Sequence, residues 1–493
     1  MKFFNNKDKK PNDIRDNVKN VMTVILILFI GLISYIAYFQ TFKATDIAQD
    51  QGNKRLWAKR NEVIRGTIYD RNNNALTSGE RTGVLTQSRK YTNGTLYANV
   101  LGYVSPTYGL TGLEEAYDEE LTSYNSVGTG IRDFLKSFDT NALKEAFLKR
   151  DDEEIKIGNS VKTSLDPTIQ KAAYDALNKL GNVKGAAVAI NPKTGEVLAM
   201  VSKPTYDPNN LDDAMKAANA GTDGNALINR AIAGKYPPGS TFKTITTTSA
   251  LQNIKGITSR TFNDDGVLEL GGGMTLPNVG KAANGNIDLE HAFLASSNVV
   301  YGTLALELGN DKLKETAEKF GFNKEVSAEG FNIVESQFPT FKSSQKGLIA
   351  QCGIGQSEIL ATPMQMALVC STIANDGVMM SPKLVNSVVD IKGNVVKNID
   401  SKKYAAVMTK GEADTIQGYM QGLANNLGLF EGLNAAGKTG TAENSTGKDH
   451  SWFIGFAPAD NPQIAVAVIV ESSGFGAQYA GPVAASMMYS AVK

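Results

Sequence analysis

The chain is poor in the residues from which metal centres and many catalytic triads are built. Its 493 residues include two cysteines, Cys352 and Cys370, and two histidines, His291 and His450. A zinc or iron–sulfur site made from those ligand types is close to excluded. A histidine-based triad would rest on one of two isolated residues, and both read as structural. Two cysteines are too few for a secreted disulfide framework. They read as small buried hydrophobes, with a single bridge between them left open. Net charge is also missing: Lys+Arg and Asp+Glu each count 50. No basic surplus therefore marks a nucleic-acid binder. Internal repeats and low-complexity tracts are absent, which removes solenoids and coiled-coil arrays. What remains is ordinary globular composition, 42% hydrophobic and 20% charged, in a chain long enough for two or three domains at roughly 150 residues each.

One stretch departs from that composition. Val21 to Phe39 has no charged residue, and as a helix it would span about 28 Å, close to the ~30 Å core of a bilayer. Ahead of it, Lys2, Lys7, Lys9, Lys10, Arg15 and Lys19 outnumber Asp8, Asp13 and Asp16. That bias predicts a cytoplasmic tail over 1–20, a single transmembrane helix over 21–39 and everything beyond about residue 40 outside the cell membrane. A cleaved signal peptide or a buried core helix are the bland readings. The run is longer than a usual signal core and no A-x-A-like site comes after it.

Residues 40–160 differ in character from the rest of the chain, and the expected boundary with a second domain, 161–493, lies there. The first part opens with a helix-like stretch, Ala44 to Lys59, and a strand-like run from Val63 to Arg71 closed by Asn72-Asn73-Asn74. It ends in a charged segment, Lys149 to Lys156, that reads as a solvated linker face. Asp166-Pro167 then reads as a helix start with Asp at the N-cap. Ala186–Ile190 and Glu196–Ser202 predict a hairpin around Asn191 to Gly195. Ser451–Phe456 and Gln463–Glu471 predict a second around Ala459 to Pro462. Strands near both ends with helices between predict an α+β domain whose antiparallel sheet is assembled from the two termini and flanked by helices.

Three short motifs stand in an order that chance does not easily supply. Ser240-Thr241-Phe242-Lys243 comes directly after Pro237-Pro238-Gly239 and leads into a helix-compatible run, Thr244 to Leu251. Ser240 would open that helix, where free N–H groups and the positive dipole end can stabilise an oxyanion. Lys243, three residues on, would lie on the same face within reach of the hydroxyl. A lysine whose pKa is lowered by neighbouring cations and burial can act as the base a serine needs. SxxK also occurs at Ser343 and Ser445, SxN at Ser123 and Ser296, and KTG at Lys193 and Lys438. Only one triple has the order SxxK, SxN, K-[ST]-G that such serine enzymes require: Ser240, Ser296-Ser297-Asn298, Lys438-Thr439-Gly440. A decoy overlaps the third. Gly432 to Thr439 matches the phosphate-loop pattern, but a helix-like segment precedes it and a strand, not a helix, continues from Lys438.

With these motifs in view, the chain resembles the class B penicillin-binding proteins, membrane-anchored D,D-transpeptidases of peptidoglycan synthesis, over most of residues 60–490. Arg65 to Arg71 and Gly109 to Tyr117, with Gly112-Leu113-Glu114, are similar to the family's pedestal boxes. Thr194 to Val201, Tyr206 to Asn209, Pro237 to Lys243, Ser296 to Asn298, Gly355-Gln356, Thr362-Pro363 with Gln365, Lys438 to Glu443, and Trp452 to Pro458 resemble its catalytic-domain boxes. The resemblance implies the penicillin-binding transpeptidase fold, with an all-helical subregion, on a smaller mixed pedestal over 40–160.

It also implies roles. Ser240 would be the nucleophile toward a D-Ala–D-Ala stem peptide, Lys243 the general base, and Ser296 a proton relay. Asn298 would orient the substrate amide. Lys438, Thr439, Gly440 and Thr441 would form the carboxylate-binding strand, and the backbone N–H groups of Ser240 and Thr441 the oxyanion hole. No metal or cofactor is implied. The implied partners are stem peptides as donor and amine acceptor, β-lactam antibiotics, the membrane, and a separate glycan polymerase of the SEDS type, since about 120 residues between anchor and catalytic domain leave little room for a glycosyltransferase beside a pedestal. The rivals are a D,D-carboxypeptidase, β-lactamase-like hydrolase or β-lactam sensor, against which no ExxLN loop separates the second and third motifs, and a non-catalytic scaffold. Tyr301 and Trp452 are candidates for the groove wall, although aromatics in such elements are usually core.

Overall fold

The structure, a computed structural model, describes residues 14–42, 54–123, 156–444 and 447–492. At the N-terminus a helix spans Ile14–Phe42. Its apolar part runs over Val18–Phe39, 22 residues with none of that stretch buried. At 1.5 Å per residue this is about 33 Å, a candidate membrane span slightly longer than the uncharged run alone. Of the expected juxtamembrane helix, Lys54–Asn61 is helical, and 44–53 lie outside the described residues. Most of the Lys149–Lys156 segment lies outside them too.

The described residues of 62–104 and from 110 onward form one compact unit. At its centre is a five-stranded antiparallel sheet built from β1 (Gly185–Ile190), β2 (Val197–Lys203), β3 (Ala436–Ala442), β4 (His450–Ala457) and β5 (Ile464–Val470), in the order β3-β4-β5-β1-β2. The two predicted hairpins thus join through β5 and β1, where Ala467 faces Val188 across the strands. Both faces are covered. Ala465, Ala467 and Ile469 of β5 enter one hydrophobic core, while Val466, Val468 and Val470 enter another. Alternation therefore places apolar side chains on both sides, and the strands read as unbroken apolar runs.

Helices fill the layers. α1 (Pro167–Lys179) begins as expected, with Asp166 Oδ1 accepting from Thr168 N and Ile169 N. α1 and α6 (Ala480–Ala491) cover one face of the sheet. The other face meets a helical body of α2 (Lys243–Asn253), α3 (Asn298–Lys319), α4 (Pro363–Ala374) and α5 (Lys410–Leu427). α2 is buried from Lys243 to Ala250 despite four threonines and a serine. It tolerates them because Thr244, Thr247 and Thr248 bond carbonyls one turn back and Thr246 bonds Gly353 O.

The run Val63–Arg71 is not the long strand expected of it. Only Ile68–Tyr69 is strand, paired in parallel with Ser160–Thr163. Upstream, the backbone is spent on irregular partners: Ile64 N donates to Lys156 O and Gly66 N to Leu121 O. Arg65 instead turns inward. Its Nε reaches Glu114 Oε2 at 2.6 Å, and Arg89 Nε reaches Glu114 Oε1 at 2.7 Å. The two pedestal boxes therefore meet in space around a fully buried carboxylate. The sheet holding Ile68–Tyr69 and Ser160–Thr163 continues into Val385–Val389 and Val395–Asn398, so the pedestal region and the later chain share it.

Candidate active site

The elements that carry the three motifs converge on one cleft. Ser240 lies in a 3-10 turn, Gly239–Phe242, that runs directly into α2. β3, the edge strand of the sheet, passes against this turn so closely that only glycine fits at two points. A Cβ on Gly239, where φ is +53°, would stand 2.6 Å from Thr441 O, and one on Gly440 would stand 2.8 Å from Thr241 Cγ2. The turn is held from behind by Gly239 N donating to Gly355 O at 2.9 Å and by Trp452 Nε1 donating to Pro237 O at 3.0 Å. Trp452 and Tyr301 are both fully buried; they are core, not groove wall.

A short helix, Leu289–Leu294, delivers Ser296, whose φ of 52° is unusual for a residue with a side chain. Its hydroxyl sits between the two lysines. Lys243 Nζ lies 3.2 Å and Lys438 Nζ 3.0 Å from Ser296 Oγ. Lys243 Nζ also donates to Ser296 O at 2.6 Å and to Asn298 Oδ1 at 2.9 Å. The bonded partners of Lys243 Nζ thus come from the second motif. Both lysine side chains are completely buried. Burial, reinforced by the charge of Lys438, holds Lys243 well below the ordinary lysine value despite an opposing pull from Asp264. Burial brings Lys438 down to about 7. Each nitrogen faces an aromatic ring, Tyr301 for Lys243 and Phe293 for Lys438.

Above this floor is a cleft of about 570 Å³ lined by Ser240, Ser296, Asn298, Thr439 and Thr441. Along β3, Thr439 and Thr441 are half-exposed while Lys438 and Gly440 are buried, the alternation a strand imposes. The phosphate-loop reading fails on the same geometry: Lys438 and Thr439 are mid-strand, opposite Ile454 and Phe453.

Two residues of the site have no motif to announce them. Asp264 is buried and accepts from Ser297 Oγ, Asn284 Nδ2, Asn278 Nδ2 and Gly266 N. Asn278 in turn accepts from Asn298 N at 2.7 Å and Val299 N at 3.1 Å. The cysteines are free and buried. Of the histidines, His450 accepts from Ser472 N, with burial lowering its pKa. His291 is exposed and paired with the helix-capping Asp288, which raises its pKa.

Residues 185–492 match the penicillin-binding protein transpeptidase domain, and residues 65–139 match the penicillin-binding protein A dimerisation domain. The chain belongs to the penicillin-binding proteins, of the class B type. Among relatives of this penicillin-binding protein, peptidoglycan D,D-transpeptidase PbpA of Mycolicibacterium smegmatis is 34% identical over 454 residues, covering 88% of this chain and 89% of that one. Penicillin-binding protein A from M. tuberculosis, solved as an imipenem acyl-enzyme complex, superposes with a TM-score of 0.77 at 32% identity, covering 88% of this chain and all of that one. The D,D-transpeptidase domain of a peptidoglycan glycosyltransferase from Eggerthella lenta gives 0.74 at 33% identity, covering 87% and 98%.

Proposed function

We propose that this protein is a membrane-anchored peptidoglycan D,D-transpeptidase with Ser240 as its acyl-carrying nucleophile. The observation that supports this most is the buried Lys243–Ser296–Lys438 chain beneath a cleft that Ser240 also lines. In this reading Lys243, neutral because of burial and the neighbouring charge, takes the Ser240 proton as Oγ attacks the carbonyl of the penultimate D-Ala. Backbone N–H groups of Ser240 and Thr441 receive the negative oxygen. The proton passes through Ser296 to the departing D-Ala amine, the C–N bond breaks, and an ester on Ser240 remains. Asn298 orients the peptide amide, while Lys438, Thr439 and Thr441 hold the terminal carboxylate on an edge strand whose outer side is open. Gly440 lets that strand approach the Ser240 turn. The amine of a second stem peptide then attacks the ester, giving a new amide and restoring Ser240. A β-lactam enters the first step and stops there.

The organisation that accompanies this reading is a cytoplasmic tail over 1–20, the anchor over 21–39, a pedestal over 40–160 and the catalytic domain over 161–493, outside the membrane. The bias of lysine and arginine before the apolar helix supports that orientation. A SEDS-type polymerase would supply the glycan.

The test is turnover of polymerised lipid II by the full chain in detergent micelles, wild type beside Ser240→Ala. Release of D-Ala with formation of cross-linked dimers, both lost in the variant, is the expected result. D-Ala release without dimers would make the enzyme a carboxypeptidase, and equal activity of both proteins would remove Ser240 from the chemistry.

A further inference from the structure

The second motif is held in place by a carboxylate that lies outside all three motifs. Asp264 closes a short strand, Phe262–Asp264, and is completely buried, yet among the described residues it makes no ion pair. Its bonded partners there are neutral donors. Oδ1 accepts from Gly266 N at 3.0 Å and Asn278 Nδ2 at 2.8 Å, and Oδ2 from Asn284 Nδ2 at 2.6 Å and Ser297 Oγ at 2.7 Å. A buried anion with no cation in contact is expensive unless the surrounding field favours it.

Burial pushes the Asp264 carboxyl up, and its four hydrogen bonds more than offset this and hold it below the ordinary value; two further features stand beside it. The first is the N-terminus of α3, which runs from Asn298 to a kink at Gly309 and whose N-cap Ser297 accepts from Val300 N while donating to Asp264. The second is the lysine pair. Asn278 links Asp264 to the same helix end: its amide nitrogen faces the carboxylate and its oxygen accepts from Asn298 N and Val299 N. Both residues immediately after Ser296 are thus tied to Asp264, Ser297 directly and Asn298 through Asn278. Ser296 itself has the left-handed backbone that a residue with a side chain keeps only when its surroundings hold it there.

We propose that Asp264 is a positioning residue for the acyl transfer: it fixes the strained Ser296–Asn298 turn between the two lysines and is the fixed negative charge behind that pair. The inference rests on the transpeptidase reading above. Among the described residues, three charged or titratable groups face Lys243 from neighbouring elements: Lys438 on β3, Asp264 on its strand, and Tyr301 on α3. Of these, Asp264 alone carries the negative charge that favours the protonated lysine. Its charge opposes burial and Lys438 and so raises the pH at which Lys243 becomes a base, and its hydrogen bonds hold Ser297 directly and Asn298 through Asn278. Removing the carboxylate charge makes the neutral lysine available at lower pH, although the loosened turn uses it less well.

The experiment measures acylation of the full chain in detergent by fluorescent penicillin, as a function of pH, for wild type, Ser240→Ala, Asp264→Asn and Ser297→Ala, with thermal melting of each. Label on wild type and none on Ser240→Ala tests the underlying reading separately. With that in hand, Asp264→Asn is expected to acylate about 10- to 100-fold more slowly, with the acid limb of its pH profile moved toward lower pH. Ser297→Ala keeps the charge and loses one link, so it is expected to be slower with the limb in place. A folded Asp264→Asn with the wild-type rate, or one slowed with no movement of the limb, would overturn the proposal. If Asp264→Asn does not fold, Ser297→Ala decides, and a wild-type rate there would overturn it.

Discussion

Replacing Lys438 by methionine keeps most of the side-chain volume and removes one of two charges that share a single hydroxyl. Lys243 Nζ and Lys438 Nζ lie 3.2 and 3.0 Å from Ser296 Oγ, so the two nitrogens are at most about 6 Å apart. At an effective dielectric constant of ~20, two unit charges at that distance repel by about 2.8 kcal/mol. That is equivalent to about two pKa units on Lys243. In the proposed mechanism Lys243 is the general base, and that role fixes the sign. A general base works when unprotonated, so the acid limb of acylation tracks the pKa of Lys243. Taking away a like charge raises that pKa, and the limb should move to higher pH by about two units. The assay is the second-order rate constant for fluorescent penicillin between about pH 5 and pH 10, for full-length wild type and Lys438→Met. The absolute rate falls at every pH because the carboxylate loses its partner; the informative quantity is the position of the limb. A limb unmoved, or moved toward acid, would refute the claim that the charge of Lys438 adds to burial in lowering the pKa of Lys243. Asp264→Asn should move the limb the opposite way.

The same substitution should make the protein more stable. Lys438 titrates at about 7 when folded against an ordinary value of 10.5, so unfolding takes up a proton between those limits and wild-type stability rises with pH across that window. Lys438→Met lacks this penalty and should melt a few degrees higher at neutral pH while acylating poorly. Gly440→Ala would press a methyl group against Thr241 and Trp452. It should cost about 1–3 kcal/mol in stability and, by moving β3 from the Ser240 turn, roughly 100-fold in acylation, read by melting and penicillin labelling. Glu114→Gln leaves Arg89 facing an uncharged partner in a buried site and Arg65 with Asp118 as its remaining carboxylate, and should lower stability by about 3–5 kcal/mol in denaturant titration. Burial raises the Glu114 pKa, but Arg89 and Arg65 more than offset it and hold it below the usual carboxylate range. Its stabilisation is therefore complete above the unfolded glutamate value and lost as pH falls through the folded one.

What could be read from the amino acids divides along a physical line. Local rules located the elements: Asp166-Pro167 opens α1, the two apolar hairpins become four strands of the central sheet, and Lys438 lies in a strand where the overlapping phosphate-loop pattern needs a helix. Order along the chain selected Ser240, Ser296 and Lys438 from among chance repeats. Contacts between distant segments were not legible. Asp264 and Asn278 reach Ser297 and Asn298 across a polypeptide excursion of tens of residues, and nothing in the local pattern distinguishes their side chains from ordinary turn chemistry. The strand expected over Val63–Arg71 failed for a related reason. Its β-propensity is real, but Arg65 is held by Glu114, and the backbone upstream of Ile68 takes partners set by that anchor.

The central claim is that one serine carries the acyl group. Its most direct test is peptide mapping by mass spectrometry of the full chain after brief exposure to penicillin G. A penicilloyl adduct confined to the peptide containing Ser240, and absent from Ser240→Ala, is the predicted result. An adduct on another residue, or one that persists in folded Ser240→Ala, would contradict the account.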